Sequence, residues 1–196
     1  MARPLGPLEW CRAEVLHLAW KAGVYLPPDR RVLERTILPF YAANEGIRRV
    51  LFVGVAPYTA RYRELFPGRV FATIDTNEGR AHLGGDPHVV GSVTDLDRHF
   101  APDSFDFVAF NGVLGFGLDE PPKARAAFQA IARTLAKGGS LLVGVNPQFA
   151  KIVDLDEHPL LGLFTPVVLS PLSGNRLTVD TPFRERRHSF YFFEKR

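Results

Sequence analysis

Residues 48–66, RRVLFVGVAPYTARYRELF, join a short apolar run to a glycine and then to a segment of long side chains. A continuous apolar run of this length is typical of a strand buried on both faces of a parallel sheet. Gly54 allows a tight turn and a close approach of the backbone to a ligand. The segment therefore predicts a strand at 49–55, a ligand-binding turn with a single glycine, and a helix over 58–66.

The same alternation continues along the chain. Apolar runs predict further strands, the last of them strongly aromatic, at 69–75, 88–93, 105–111, 140–146 and 188–196. A helical pattern with proline near its first turn covers 120–136, and glycines follow it. Alternating strands and helices predict a doubly wound, Rossmann-like α/β fold with a mostly parallel sheet. The strongly aromatic run at 188–196 is interpreted as an antiparallel C-terminal strand packed into that sheet. Segments 164–170 and 175–180 are both plausible strands, and the sequence does not decide between them.

Two helical patterns precede the first strand. Apolar residues recur at helical spacing within 8–22, and a second helix is expected over 31–44, after Pro27 and Pro28. We expect an N-terminal helical cap over residues 1–46 and an α/β domain over 47–196. Cys11 lies on the apolar face of the first helix and is expected to be inert core.

Composition narrows the class of protein. The chain has 196 residues, of which 46% are hydrophobic and 23% charged, as in an ordinary soluble domain. One cysteine fits a reducing compartment, and without a signal-peptide pattern or a membrane-length apolar run we expect a cytoplasmic protein. The net charge of +3 comes from scattered residues, which makes a nucleic-acid partner unlikely.

Ligands of an open parallel sheet bind beyond the carboxyl ends of its strands. The residues at these ends are Val55, Asp75, Val93, Asn111 and Asn146. Asp75 follows Gly54 by about twenty residues, the spacing at which a carboxylate can accept hydrogen bonds from both hydroxyls of a ribose.

Five segments carry a resemblance to a known family: VLFVGVAP, ATID, VVGSVTDL, FDFVAFNGVLGFGLD and ARTLAKGGSLLVGV. In order and spacing, residues 49–146 resemble a class I S-adenosylmethionine-dependent methyltransferase. The resemblance implies S-adenosyl-L-methionine as cofactor. The cofactor-binding residues expected from it, together with Tyr58 at the start of the predicted helix, are Gly54, Val55, Ala56, Tyr58, Asp75, Ser92, Val93 and Asn111.

Strand direction suggests where the acceptor binds. An antiparallel final strand begins at the edge where the parallel strands end, so His188 should lie near the site, whereas His82 and His88 should not. An unperturbed histidine, with a pKa of about 6.5, suits proton removal near neutral pH. His188 and Asn111 are therefore the catalytic candidates. The arginines within 184–187 could hold an anionic acceptor.

The expected function is methyl transfer to a small-molecule acceptor. Phe52, Tyr58 and Ser92 depart from the family pattern, which leaves open a non-catalytic binding or partner module. A nicotinamide-dependent oxidoreductase would require glycine where the chain has Ala56 and Thr59. No metal-ligand spacing occurs in the sequence, and no phosphate-binding G-x-x-x-x-G-K-[ST] motif. The oligomeric state stays open.

Overall fold

The computed structural model describes residues 6–153, 155, 162–182 and 187–196. Within them, eight strands form one sheet, in the order β3-β2-β1-β4-β5-β8-β6, and β7 also pairs with β8. The strands are β1 Arg49–Val53, β2 Val70–Asp75, β3 His88–Val90, β4 Phe105–Asn111, β5 Leu135–Val145, β6 Phe164–Pro166, β7 Arg176–Asp180 and β8 Arg187–Lys195. Strands β1 to β5 pair in parallel and β8 is antiparallel to β5, as the sequence predicts.

Helices cover both faces of the sheet. They are α1 Pro7–Lys21, α2 Pro28–Val32, α3 Leu38–Ala43, α4 Leu96–His99 and α5 Pro121–Thr134, with a π-helical segment, Leu33–Ile37, between α2 and α3. The buried stripe of α5, which includes Phe128 and Ile131, packs on one face of the sheet. On the other face, Tyr41 of α3 stacks on Phe107 of β4 with ring centroids 4.1 Å apart. Both undecided segments are strands because each pairs with the outer edge of β8.

The predicted helix at 58–66 is wrong. Turns and a short 3₁₀ helix, Tyr62–Leu65, connect β1 to β2 instead. The Thr59 hydroxyl accepts a hydrogen bond from the Ala56 N–H and donates to the Ala56 carbonyl, both at 2.9 Å. A side chain that hydrogen-bonds its own loop offers the backbone an alternative to a regular helix.

The apolar face of α1 also differs from its expected role. Leu8, Val15 and Leu18 are exposed, and so is Cys11, so the prediction of a buried core cysteine is wrong. Helical spacing predicts which residues share a face, but it does not tell whether another element covers that face. Buried contacts of α1 come instead from Ala13.

A carboxylate joins the amino ends of β1 and β4. Asp106 accepts backbone N–H bonds from Arg48 and Arg49 at 2.9 Å and pairs with the Arg49 guanidinium at 2.6 Å. Burial alone would raise the pKa of Asp106, but these donors outweigh it and lower the pKa. The pair therefore fixes the edge of the sheet opposite to the strand tips at which ligands are expected.

No helix among the described residues is long and apolar enough to cross a membrane.

Candidate functional site

A cleft of about 720 Å³ lies at the carboxyl ends of the parallel strands. It spans the point between β1 and β4 from which the strand order runs in opposite directions, where open α/β sheets bind ligands. All nine residues predicted for cofactor binding or catalysis line it: Gly54, Val55, Ala56, Tyr58, Asp75, Ser92, Val93, Asn111 and His188. His82 and His88 are not among its lining residues, as expected.

The first two strand tips are joined through Asp75. One carboxylate oxygen of Asp75 accepts the Val55 N–H at 2.6 Å, and the other accepts the Asn77 N–H at 2.7 Å. Since a carboxylate has about four acceptor positions, each oxygen keeps capacity for one more donor. Gly54 has a φ of +84°, which an L side chain rarely adopts, so the turn before Val55 requires glycine. Asp75 thus orders the turn and still offers acceptors to the cleft.

Ser92 caps the turn after β3. Its hydroxyl accepts the Thr94 N–H at 3.2 Å and shares a hydrogen bond with the Thr94 hydroxyl at 2.8 Å. The following residue, Val93, is buried and adds an apolar surface to the cleft. The third tip therefore presents an apolar side chain beside a hydroxyl that is already engaged locally.

Three polar side chains meet where β4, β5 and β8 come together. The two ring nitrogens of His188 lie 2.8 Å from Asn146 Oδ1 and 3.0 Å from Asn111 Oδ1. A Cβ on Gly144 would lie 1.6 Å from Asn111 Oδ1 and 2.8 Å from His188 Nε2, so only glycine leaves room for this contact. We call His188, Asn111 and Asn146 the polar triad.

Burial keeps His188 neutral. Loss of solvation, with a smaller contribution from the positive charge of Arg30, lowers the pKa of His188 from 6.5 to about 3. The ordinary pKa expected from the sequence is therefore wrong, and the ring is a weak proton acceptor at neutral pH. Because a neutral imidazole carries one N–H, one carboxamide of the triad presents its oxygen and the other its NH₂ group.

The N-terminal helices supply another wall of the cleft. Trp20 of α1 packs on Tyr58 with ring centroids 4.9 Å apart, and the Arg30 guanidinium of α2 lies 4.4 Å from the Tyr58 ring centroid. Tyr58 therefore packs against the N-terminal helices and also lines the cleft, with 43% of its surface exposed. Sequence reasoning missed Trp20 and Arg30, because nothing in their local pattern indicates a position near β1.

Two other expectations concern the rim of the cleft. Arg184 and Arg186, which were expected to hold an anionic acceptor, lie outside the described residues, and Arg187 is exposed at the start of β8. Asn146 was predicted as a strand tip but not as a partner of His188. Asn146 follows Gly144 by two residues, but this spacing indicates a contact with His188 only once β5 is known to pair with β8.

Comparisons with known proteins agree with this geometry. Residues 53–143 match the family model described as a methyltransferase domain. No curated protein matches the chain significantly.

Solved structures show the same fold at low sequence identity. The N-methyltransferase NodS from Bradyrhizobium japonicum, in complex with S-adenosyl-L-homocysteine, is 14% identical, with a TM-score of 0.67 over 94% of this chain and 98% of that one. A 1,6-didemethyltoxoflavin-N1-methyltransferase from Burkholderia thailandensis, with 1,6-didemethyltoxoflavin and S-adenosylhomocysteine bound, is 18% identical, with a TM-score of 0.54 over 100% of this chain and 92% of that one. TrmN from Thermus thermophilus is 17% identical, with a TM-score of 0.61 over 84% of this chain and 48% of that one.

The sheet order, the antiparallel β8 and the family match over residues 53–143 converge on one assignment. Residues 53–143 match a methyltransferase domain, and the sheet has the Rossmann-like fold of known methyltransferases.

Proposed function

We propose that the protein transfers a methyl group from S-adenosylmethionine to a small-molecule acceptor bound in the cleft. The observation that carries this proposal is the Gly54–Asp75 arrangement, in which a carboxylate with spare acceptor capacity stands beside a turn that only glycine can form. A cleft of about 720 Å³ also has the size of a site for a cofactor and a small acceptor.

The residues fit this cofactor. Asp75 would hold the ribose hydroxyls, and the turn at Gly54, Val55 and Ala56 would let the ligand approach the backbone. Val93 would contact the adenine with its apolar side chain, beside the Ser92 hydroxyl. When bound, the cofactor supplies a methyl group already activated by a positively charged sulfur.

The protein then has to align the acceptor and exclude water. Asn111, as a member of the polar triad, offers its carboxamide to an acceptor, and His188 holds that carboxamide in place. We propose His188 as a neutral positioning residue rather than a general base, since its lowered pKa disfavours proton removal at neutral pH. Alignment is then the main source of catalysis.

A non-catalytic partner module is the second candidate. The exposed apolar side chains of α1 favour it, since Leu8, Val15 and Leu18 could contact another protein. The buried Phe52 also favours it, because it lines the cleft where the family usually has an acidic residue. A nicotinamide-dependent oxidoreductase gains no support from the family match. A cytoplasmic location stays a prediction from the cysteine content.

Calorimetry tests the proposal. The unaltered protein should bind S-adenosylmethionine and S-adenosylhomocysteine but not NAD. Asp75→Ala should weaken S-adenosylhomocysteine binding at least tenfold, since hydrogen bonds to a charged group contribute about 1.5–3 kcal/mol each. Asp75→Asn keeps one acceptor oxygen, and its affinity for S-adenosylhomocysteine should lie between those of the unaltered protein and Asp75→Ala.

Asp119→Asn is the matched control, because Asp119 is exposed and does not line the cleft. Equal affinity of Asp75→Ala and the unaltered protein would refute the assignment of Asp75. Binding of neither S-adenosyl ligand nor NAD by the unaltered protein would favour the partner module.

A further inference from the structure

Arg30 of α2 is a buried cation at the wall of the cleft. Its side chain is 11% exposed and lines the cleft. Removing a guanidinium from water is costly unless a partner compensates the charge. Burial lowers the pKa of Arg30, but Tyr62, Tyr58 and Asp29 raise it by more, so the group stays charged.

The hydrogen-bond donors of Arg30 are poorly used. Within the described residues its one hydrogen bond is a long one, from Nη1 to the Tyr62 hydroxyl at 3.5 Å. That hydroxyl accepts the Arg30 bond while it donates to Glu34 Oε1 at 2.8 Å, so it satisfies one N–H group of Arg30. The carboxylate of Asp29, the one ion-pair partner of Arg30 among the described residues, is 4.0 Å from Nε, beyond hydrogen-bond distance. A guanidinium carries five N–H donors, so most of them have no partner among the described residues.

Two aromatic rings lie beside the guanidinium of Arg30, and no hydrogen bond joins it to either of them among the described residues. Arg30 Cζ lies 4.4 Å from the ring centroid of Tyr58 and 5.8 Å from that of Trp20. Stacking on an aromatic ring uses the face of the guanidinium, whereas its N–H groups point outward in its plane. Two parallel N–H groups in one plane match the two oxygens of a carboxylate.

A second polar group of the cleft has no hydrogen-bond partner in the part of the chain that the structure describes. The Thr181 hydroxyl is buried and has no hydrogen bond within the described residues, although Thr181 lines the cleft. It directly follows β7, which packs against α2, the helix that carries Arg30. The wall formed by α2 and the end of β7 therefore offers a guanidinium with unused N–H donors and an unsatisfied hydroxyl to the same cleft.

We infer that Arg30 is the anchoring site for the carboxylate of a cleft ligand. This inference deepens the proposed function and rests on it for the ligands considered. Two sources supply the same chemistry: the amino-acid carboxylate of the cofactor, and a carboxylate on the acceptor. Asp75, which we propose to hold the ribose, ends β2, whereas Arg30 lies on α2, so separate variants test the two roles.

Arg30→Gln removes the charge, and Arg30→Lys keeps it without the planar pair of donors. Arg31→Gln is the matched control, because Arg31 is the next residue of α2, is exposed and does not line the cleft. Calorimetry compares S-adenosylhomocysteine, which has the amino-acid carboxylate, with 5′-methylthioadenosine, which lacks it. Sodium benzoate serves as the probe for an acceptor carboxylate, with and without S-adenosylhomocysteine.

Two results support the inference and identify the source. If the cofactor supplies the carboxylate, Arg30→Gln lowers the affinity for S-adenosylhomocysteine at least tenfold and leaves the affinity for methylthioadenosine unchanged. If the acceptor supplies it, Arg30→Gln leaves S-adenosylhomocysteine unchanged and abolishes benzoate binding. In either case Arg30→Lys should lose less affinity than Arg30→Gln. Unchanged affinity for the ligand that Arg30 does not hold shows that the variant is folded.

Two results overturn the inference. In one, S-adenosylhomocysteine and benzoate bind Arg30→Gln as they bind Arg31→Gln. In the other, Arg30→Gln lowers the affinities for S-adenosylhomocysteine and for methylthioadenosine equally, which means that Arg30 acts through the shape of the cleft. Failure of the proposed function is a separate outcome. If the unaltered protein binds no adenosine ligand, benzoate binding still tests whether Arg30 holds a carboxylate. Thermal stabilisation by benzoate, present in the unaltered protein and absent in Arg30→Gln, would then support the carboxylate site, and its absence from both would refute it.

Discussion

The buried histidine of the polar triad should make the protein sensitive to mild acid. In the folded state His188 has a pKa of about 3, whereas an unfolded chain exposes a histidine with its ordinary value. Above pH 6.5 both states are neutral and the stability is fully present. As the pH falls below 6.5, His188 takes up a proton in the unfolded chain but stays neutral in the folded protein. The free energy of unfolding therefore decreases until the pH reaches the folded pKa of His188.

The magnitude follows from the two pKa values. Between pH 7.5 and pH 5.0, His188 should lower the free energy of unfolding by about 2 kcal/mol, because each pH unit below 6.5 costs about 1.4 kcal/mol. For a domain of this size, about 2 kcal/mol corresponds to a fall in Tm of about 4–8 °C. The result in this window requires only that the folded pKa lie below about 5.

Urea unfolding at the two pH values measures this loss. His188→Gln removes the titrating group and should lose about 2 kcal/mol less than the unaltered protein over the same interval. His99→Gln, which removes an exposed histidine outside the cleft, should keep the loss seen in the unaltered protein. Equal losses in the unaltered protein and in His188→Gln would show that burial does not hold His188 neutral.

Two further predictions concern the same cleft. Gly144→Ala should separate Asn111 from His188, since the added Cβ would fall 1.6 Å from Asn111 Oδ1. The rate of methyl transfer should then drop at least tenfold, while circular dichroism shows a folded sheet. Unchanged turnover would exclude a role for the contact between Asn111 and His188. Tyr58→Phe should keep the stacking under Arg30 and preserve S-adenosylhomocysteine affinity, whereas Tyr58→Gly should weaken it. If Tyr58→Gly lowers only the Tm, by the equivalent of about 0.5–2 kcal/mol, Tyr58 serves packing alone.

Much of the fold could be predicted because its signals are local. The apolar runs that became β1, β2 and β4 are short and bounded by glycine, proline or charged residues, so their positions followed closely from the sequence, whereas β5 begins at Leu135, five residues before its predicted start. The direction of β8 followed from the fold that these strands imply, and with it the position of His188 near the cleft.

What could not be predicted depends on contacts between distant residues. Arg30 lies on a helix far from β1 in sequence, and only the packing of α2 brings it onto Tyr58. The pKa of His188 depends on burial beneath these elements and on Arg30, neither of which a strand pattern reveals. The helix expected at 58–66 failed for a local reason, since the Thr59 hydroxyl competes for the backbone of its own turn.

The pairing of Asp106 with Arg49 has a consequence for how this sequence can vary. The two side chains join β1 to β4 at the edge of the sheet farthest from the cleft, and four backbone and side-chain donors of residues 48 and 49 converge on one carboxylate. Replacements at the opposite edge therefore leave this connection intact. The turn after β1 can therefore contain a single glycine and a tyrosine while the register of β1 against β4 persists.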